Sequence, residues 1–567
     1  MQDKKCEYQS GNLRHTFCKT IVMKNLFTSA AIICSLLISC NNNGQGINGI
    51  AGSSEEKKKI TKRDFSVTPQ NAYNDIFLDS NNVEKFITDN QIADSLSRRI
   101  RSFYNARNFQ FAWFSSRGLT EQARGFWNIH NYQTYAGDTS LKNATLQKKM
   151  DGLFDDSSFT VRPTDKSMVN TEILLTSHFI QYTLSNYEKG YVKRKEMEKF
   201  IPIKKTDPVY LADSLLTKKH KDDKYFEDVN NAYKLLKLEL DKYVALAKNG
   251  GWPQLPADAK QFKKGASSPA ILTLKNRLQL AGFMPASDTS FAYNDTLING
   301  IKNAQMMFGY KPDGNLTATL IKDLNVPVEK RIEQILINMN RMRWMPQEPE
   351  GRLILVNIPE FVLHFFDGKS KVFDMPVVVG KEGNNTMMFT GKLSSVVLSP
   401  YWNVPPSIVK KEIMPSMARN ASYLEQQNME ITGEAGGLPV IRQLPGEKNS
   451  LGKVKFLFPN SFNIYFHDTP AKSLFNKDKR AYSHGCIRLS DPLKMAEYLL
   501  RDNNEWPVER IVSAMNSGVE KHVKVKDPVP VFITYYTAWV DEKGMLNFRD
   551  DIYRHDAVVA QKMFAKR

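Results

Sequence analysis

The runs Leu353-Ile354-Leu355-Val356-Asn357-Ile358, Phe361-Val362-Leu363-His364-Phe365-Phe366 and Lys371-Val372-Phe373-Asp374-Met375-Pro376-Val377-Val378-Val379 decide the fold class of the C-terminal half. Leu353, Leu355 and Asn357 alternate with Ile354, Val356 and Ile358, the period-two pattern of an extended chain with two distinct faces. Asp367-Gly368 lies between the second and third runs and suits a two-residue hairpin turn. A β-rich domain built from hairpins is therefore expected from Gly351 onward. Strand-like runs at residues 393–398, 453–458 and 461–467 extend it, and Pro492–Leu500 reads as a helix. Between Trp402 and Leu451 the chain has several Pro and Gly residues and little strand character. So long an irregular segment inside a compact domain is usually functional, and residues 403–450 are expected to form a lid over a site.

Upstream, the period changes to that of helices. Leu96, Ile100, Phe103 and Tyr104 recur at helical spacing, as do Leu175, Phe179 and Tyr182. Residues 232–248 carry apolar side chains every three or four positions between lysines, a solvated helix with one buried stripe. Phe103, Tyr104, Arg107, Phe109 and Trp113 read as an aromatic core at a helix-to-loop junction. Asn249-Gly250-Gly251-Trp252-Pro253 breaks the pattern. Beyond it, residues 272–281 and 296–308 read as two amphipathic helices, with a third beginning near Thr317. Residues 328–344 read as a connecting helix. The expected architecture is multidomain α+β. It comprises a helical scaffold over 63–250, a small three-helix module over 251–327, a connecting helix over 328–346 and a β-rich domain over 347–556 with the inserted lid.

The 567 residues carry a formal net charge of +18, with 41% hydrophobic and 24% charged residues. These values suit several globular domains and association with an anionic polymer or surface, without choosing among nucleic acid, cell wall and lipid headgroups. The N-terminus narrows the choice. A thirteen-residue, mainly apolar run over 26–38 follows Met23-Lys24-Asn25 and ends in Leu37-Ile38-Ser39-Cys40. A helix needs about twenty apolar residues to cross a membrane, so residues 1–40 read as a signal peptide, with Met23 the natural start. The small residue before Cys40 resembles a bacterial lipobox, in which Cys40 becomes the lipidated N-terminus; secretion without lipid is the alternative. Residues 41–62 read as a flexible tether. The expected location is the periplasmic side of the cell envelope, held to a membrane by the lipid. Nucleic acid is not expected as a partner, because an exported lipoprotein rarely meets it and no aromatic-basic recognition motif stands out.

Cleavage before Cys40 would remove Cys6, Cys18 and Cys34, and lipidation would occupy Cys40, so Cys486 would be the one remaining thiol. In an oxidising compartment a lone thiol is unusual unless it has a task. Cys486 sits in Ser483-His484-Gly485-Cys486-Ile487-Arg488, downstream of His467-Asp468-Thr469-Pro470. A free cysteine is only a few per cent thiolate at neutral pH and needs a base. His467, at the end of an expected strand, can lie across from the Cys486 loop, form a thiolate–imidazolium pair and protonate a leaving amine. Gly485 has no side chain, so the N–H groups of Gly485 and Cys486 can approach a developing oxyanion. Arg488 offers a two-pronged donor to a substrate carboxylate. An inert packed cysteine is one competing reading. A zinc site drawing on His364, His467 and His484 is another, although zinc usually takes more cysteines or paired histidines than remain here.

The segment from His467 to Arg488 resembles the signature of the L,D-transpeptidase family (the YkuD-type catalytic domain), a His followed by Ser-His-Gly-Cys, a hydrophobic residue and Asn or Arg. Trp402-Asn403-Val404-Pro405, Pro445-Gly446 with Asn449 and Leu451-Gly452, and the tail from Pro528 to Trp539 resemble its large Gram-negative branch with a helical scaffold. Ala304-Gln305, Gly309-Tyr310, Asp313-Gly314 and Leu324-Asn325-Val326-Pro327 resemble a peptidoglycan-binding helical module, departing from it at Ala304, where an aromatic is usual, and at Thr317, where a glycine is usual. The resemblance implies that Cys486 attacks the carbonyl of the third stem-peptide residue and expels D-alanine. It implies His467 as general base and then acid, with Ser483 and Gly485 orienting the site. Arg488, His484, Trp402 and Asn449 would contact substrate. It implies no cofactor and no metal, peptidoglycan stems as donor and acceptor, a 3-to-3 cross-link as product, and acylation by carbapenems. Hydrolysis by an L,D-carboxypeptidase, or wall binding without catalysis, are the alternatives.

Overall fold

Trp113 is the hub around which the helical half is built. Its ring lies 5.4 Å from Phe126, 5.3 Å from Phe179 and 6.4 Å from Trp344. The computed structural model describes residues 60–135, 137, 142–155, 159–187, 200–217, 231–258, 262–346 and 348–565. The expected signal peptide, the lipobox with Cys40 and the tether as far as residue 59 lie outside them. No helix among the described residues is long and apolar enough to cross a membrane.

The helices Asp94–Ala106, Glu121–Tyr135, Lys166–Tyr187 and Asn231–Lys248 supply the walls of this half. Asp94–Ala106 turns Ile100, Phe103 and Tyr104 inward, as their spacing requires. The helix Val328–Met342 was expected to connect two domains, but eleven of its fifteen residues are buried. It is the central member of one core shared by the scaffold, the three-helix module and the C-terminal tail. Its Arg341 is buried and bonds Glu121 at 2.5 Å, Asp556 at 2.5 Å and the Tyr535 carbonyl at 3.2 Å. A buried charge left without a partner costs several kcal/mol, so these acids fix the helix in place.

The three-helix module starts each helix with a side-chain cap, Ser268 before Pro269–Leu280, Asn294 before Asp295–Met307 and Thr317 before Ala318–Leu324. Thr317, a departure from the resembling pattern, accepts a bond from the Leu320 N–H at 3.1 Å. A hydroxyl at this position ties down one orphan donor of the first turn, which a glycine cannot do.

The β-rich half is a closed sheet. Its strands are β1 (Arg352–Asn357), β2 (Val362–Asp367), β3 (Ser370–Gly380), β4 (Phe389–Leu398), β5 (Val454–Leu457), β6 (Phe466–His467), β7 (Ala481–Ser483), β8 (Ile487–Leu489) and β9 (Lys521–Thr534). They run in the order β7-β3-β8-β6-β5-β4-β9-β1-β2, and pairing of β2 with β3 closes the barrel. The Asp367-Gly368 hairpin is present, with Asp367 paired to Ser370. The expected strand over 461–467 pairs only at Phe466 and His467. Upstream, the Asn460 side chain accepts from the N–H groups of Phe462 and Ile464, and Asn463 takes a left-handed φ of 52°. That turn cannot join a ladder.

The segment over 403–450 is more ordered than its composition suggested. Trp402–Asn403, Met429–Ala435 and Leu438–Gln443 form a three-stranded sheet, and Val404, Ile408, Val409, Ile413 and Ile441 make a small core of its own. Residues 409–413 form a π-helical turn. The barrel also touches the scaffold. The Asn128 side-chain oxygen accepts bonds from the Thr390 N–H at 2.6 Å and hydroxyl at 2.9 Å, and Tyr132 meets Phe532 edge-on.

Candidate active site

β6 and β8 are parallel neighbours, with Phe466 opposite Ile487 and His467 opposite Arg488. Phe466, Ile487 and Leu489 are fully buried inside the barrel. Side chains alternate along a strand, so His467 and Arg488 stand on the outer face. Tyr465 and Cys486 continue the two strands on that same face. The Tyr465 and His467 rings are 5.8 Å apart, and both the Tyr465 N–H and hydroxyl donate toward the Cys486 sulfur. The β6–β8 pairing thus gathers Tyr465, His467, Cys486 and Arg488 in one patch.

The loop before β8 is held by its own atoms. The Ser483 hydroxyl donates to the Cys486 carbonyl at 2.5 Å and accepts from the Gly485 N–H at 3.1 Å. Gly485 has φ +118°, a conformation that L side chains rarely adopt. Thr386 donates its hydroxyl to the Gly485 carbonyl at 2.7 Å and accepts from the Gly380 N–H at 2.9 Å. The Gly485 N–H, expected to face an oxyanion, is therefore engaged with Ser483. The Cys486 N–H has no protein partner among the described residues, so of the two expected donors it is the one available.

Electrostatics changes the expected resting state. Burial pushes the Cys486 thiol up to about 11, against the Tyr465 hydrogen bonds and the Arg488 charge, which favour the thiolate. His467 is pushed down to about 3, first by burial and then by Arg488. Its Nδ1 faces the Asp468 carbonyl at 2.5 Å. A carbonyl only accepts, so Nδ1 carries the proton and Nε2 presents the lone pair. The thiol itself donates to the Asn463 carbonyl at 3.7 Å. The site rests as neutral thiol and neutral imidazole, not as the expected ion pair.

The other expected positions separate into distinct tasks. Arg488 has a buried Nε without a hydrogen-bond partner, so a donor remains to be used. His484 is paired with Glu412 of the insertion at 2.7 Å, tying the Cys486 loop to that segment. Trp402, expected to contact substrate, donates a hydrogen bond to the Tyr465 hydroxyl. Asn449, also expected to contact substrate, is buried. Its amide nitrogen donates to the carbonyls of Pro400 at 3.0 Å and Leu444 at 2.9 Å, and its oxygen accepts from Leu451 N–H at 2.8 Å. These bonds commit the Asn449 amide to building its loop. His364 lies elsewhere, where Asp374 and Glu360 hold it up to about 9 despite burial, which lowers it. Among the described residues no three His, Cys, Asp or Glu side chains are placed to hold a metal ion.

Tyr465, Asn463 and Thr386 were not singled out from the sequence. Tyr465 stands two residues before His467, so strand alternation was a usable signal for it. Asn463 acts through its backbone carbonyl and Thr386 through a hydroxyl that meets Gly485 from far away in the chain, and no local pattern announces either.

Residues 351–533 match the L,D-transpeptidase catalytic domain model (YkuD), and residues 98–240 match a scaffold domain model. A Haemophilus influenzae protein named "Putative L,D-transpeptidase" is 30% identical over 240 residues, which cover 40% of this chain and 48% of that protein. The chain therefore spans about half the length of that curated relative. An L,D-transpeptidase structure from Stackebrandtia nassauensis is 13% identical with a TM-score of 0.21, covering 50% of this chain and 98% of its own. One from Mycobacterium smegmatis is 15% identical with a TM-score of 0.19, covering 32% of this chain and 58% of its own. Scores of that size carry no structural argument. The chain thus carries a YkuD-type L,D-transpeptidase catalytic domain over residues 351–533 together with a scaffold domain over residues 98–240.

Proposed function

We propose that Cys486 is the nucleophile of a transpeptidase that acts on peptidoglycan stem peptides. The observation that supports this best is the shared outer face of β6 and β8, on which Cys486, Tyr465, His467 and Arg488 converge. The thiol leaves the Asn463 carbonyl and passes its proton to Nε2 of His467 as sulfur bonds to the carbonyl carbon of the third stem residue. The Cys486 N–H and the Tyr465 hydroxyl are the donors nearest the developing oxyanion, and one such donor is worth about 3 kcal/mol of barrier. Collapse breaks the amide bond, and the imidazolium gives its proton to the departing amine of D-alanine. The thioester then meets the side-chain amine of an acceptor stem, which loses a proton to His467 as the new amide forms and the thiol is restored. The free donor of Arg488 suits the substrate carboxylate.

The test is intact mass spectrometry of residues 41–567 with a carbapenem, followed by product analysis on disaccharide-tetrapeptides. One adduct on Cys486, absent from Cys486→Ala, is expected, with cross-linked dimers as products. Tripeptide and free D-alanine alone would identify an L,D-carboxypeptidase. Wall binding with no adduct would identify a non-catalytic scaffold.

We further propose that the chain is exported and lipid-anchored through Cys40 on the periplasmic side of the envelope. The apolar run over 26–38 and the Leu37-Ile38-Ser39-Cys40 ending support this. Metabolic labelling with a radioactive fatty acid, lost in Cys40→Ala, is the expected result.

A further inference from the structure

The Cys486 thiol does not point its proton at a base. Among the described residues its hydrogen bond goes to the Asn463 carbonyl, 3.7 Å away. An acceptor at that distance favours S–H over S⁻, since a carbonyl dipole presents its negative end to the sulfur. The carbonyl is there because Asn463 holds a left-handed φ of 52°, which asparagine tolerates better than most side chains. The turn carrying it, residues 460–464, is gripped from the scaffold side. The Ser461 hydroxyl donates to Asp151 at 3.1 Å, and the Phe462 ring meets Phe154 edge-on at 5.5 Å. Asp151 and Phe154 belong to the scaffold helix Ala144–Asp155. On the barrel side Phe462 packs on Phe389, with ring centres 5.1 Å apart.

We propose that Asn463 is a positioning residue that parks the Cys486 proton, and that the scaffold helix Ala144–Asp155 sets how firmly it is parked through Phe462 and Ser461. This rests on Cys486 being the reacting thiol. The other groups facing the sulfur act in the opposite sense or are neutral. Tyr465 donates two hydrogen bonds to it and Arg488 brings positive charge, both favouring thiolate. His467 is neutral, and His484 is paired with Glu412. Proton transfer to His467 requires the S–H to leave Asn463 first, so a scaffold element outside the barrel governs the first event at the thiol.

The test reads the thiol directly, so it stands apart from any failure of carbapenem acylation. Alkylation of Cys486 by iodoacetamide is followed against pH in the full chain. Asn463→Ala disfavours the left-handed turn and swings the carbonyl away. Its profile is expected to move to lower pH, with alkylation at neutral pH about tenfold faster, as a tenfold change per pH unit requires. Asn463→Gly adopts φ 52° without strain and is expected to rescue the wild-type profile. Phe154→Ala, on the scaffold, is expected to shift the profile in the same direction as Asn463→Ala. An unmoved profile in folded Asn463→Ala, or equal shifts in the Ala and Gly variants, would overturn the parking role. An unmoved profile in Phe154→Ala would overturn the scaffold's part, and that variant serves even where Asn463→Ala does not fold.

Discussion

His467 and Arg488 are register partners across two parallel strands, so the imidazole shares its face of the sheet with a permanent cation. Arg488 adds to burial in disfavouring the imidazolium. In Arg488→Gln the His467 titration, followed by NMR, is expected to move upward from about 3. Donor acylation is expected to slow about tenfold or more, because a charge-assisted hydrogen bond is lost. Unchanged donor affinity would remove the carboxylate role.

Tyr465→Phe deletes a hydroxyl that donates to the sulfur and keeps the ring. The alkylation profile is expected to move to higher pH, and carbapenem acylation is expected to fall on the order of a hundredfold. Trp402→Phe, which removes the indole donor to the Tyr465 hydroxyl, is expected to produce the same signs at smaller size. Equal acylation rates in Tyr465→Phe and wild type would show that the hydroxyl is a bystander.

Asn449→Ala separates loop building from substrate contact. It strands the carbonyls of Pro400 and Leu444, at a cost of about 1–3 kcal/mol in stability. A lower Tm with an unchanged KM is expected. A raised KM at unchanged Tm would restore Asn449 to the substrate surface.

Glu172 is fully buried in the scaffold and accepts bonds from the N–H groups of Ala112 at 2.7 Å and Trp113 at 3.0 Å. Burial raises its carboxyl to about 7 in spite of those donors. The folded chain therefore holds a proton that the unfolded chain releases above about 4.5, so this contribution to stability is full below that pH and is lost as pH climbs toward 7. Denaturant melts between pH 5 and pH 8 are expected to show the decline, and Glu172→Gln is expected to flatten it. A slope identical in both proteins would assign the pH dependence to other groups.

The sequence was most legible where one face of an element is wet and the other dry. Residues 353–379 announced β1 to β3 by alternation, and the Asp367-Gly368 turn fixed the β2–β3 pairing. Cys486 and His467 could be paired because a strand end and a glycine loop were both readable. The insertion was misjudged for a physical reason. Its strand Met429–Ala435 is largely exposed and Leu438–Gln443 buries only Ile441 and Gln443, so too short a period of burial was imprinted on them to read. The burial of Val328–Met342 was hidden because the side chains covering it come from distant parts of the chain. The burial of Asn449 was hidden because its Pro400 partner lies 49 residues upstream. The neutral resting state depends first on burial, which spacing does not encode.

The return of the C-terminal tail bears on how the molecule is made. Ala538, Phe548, Val559 and Met563 complete the core whose other walls are built from residues far upstream. The barrel is thus an excursion within a helical body that stays unsealed until the final stretch has left the ribosome. The barrel's strands, by contrast, are all in hand by Thr534. Synthesis order therefore favours a paired barrel, still short of the Tyr535 and Tyr553 rings of its core, waiting on an unfinished host, with the greasy underside of Val328–Met342 uncovered meanwhile. Trimming the last thirty or so residues would therefore also reach the Cys486 loop, because Tyr553 accepts from the Thr386 N–H and donates to the Gly380 carbonyl.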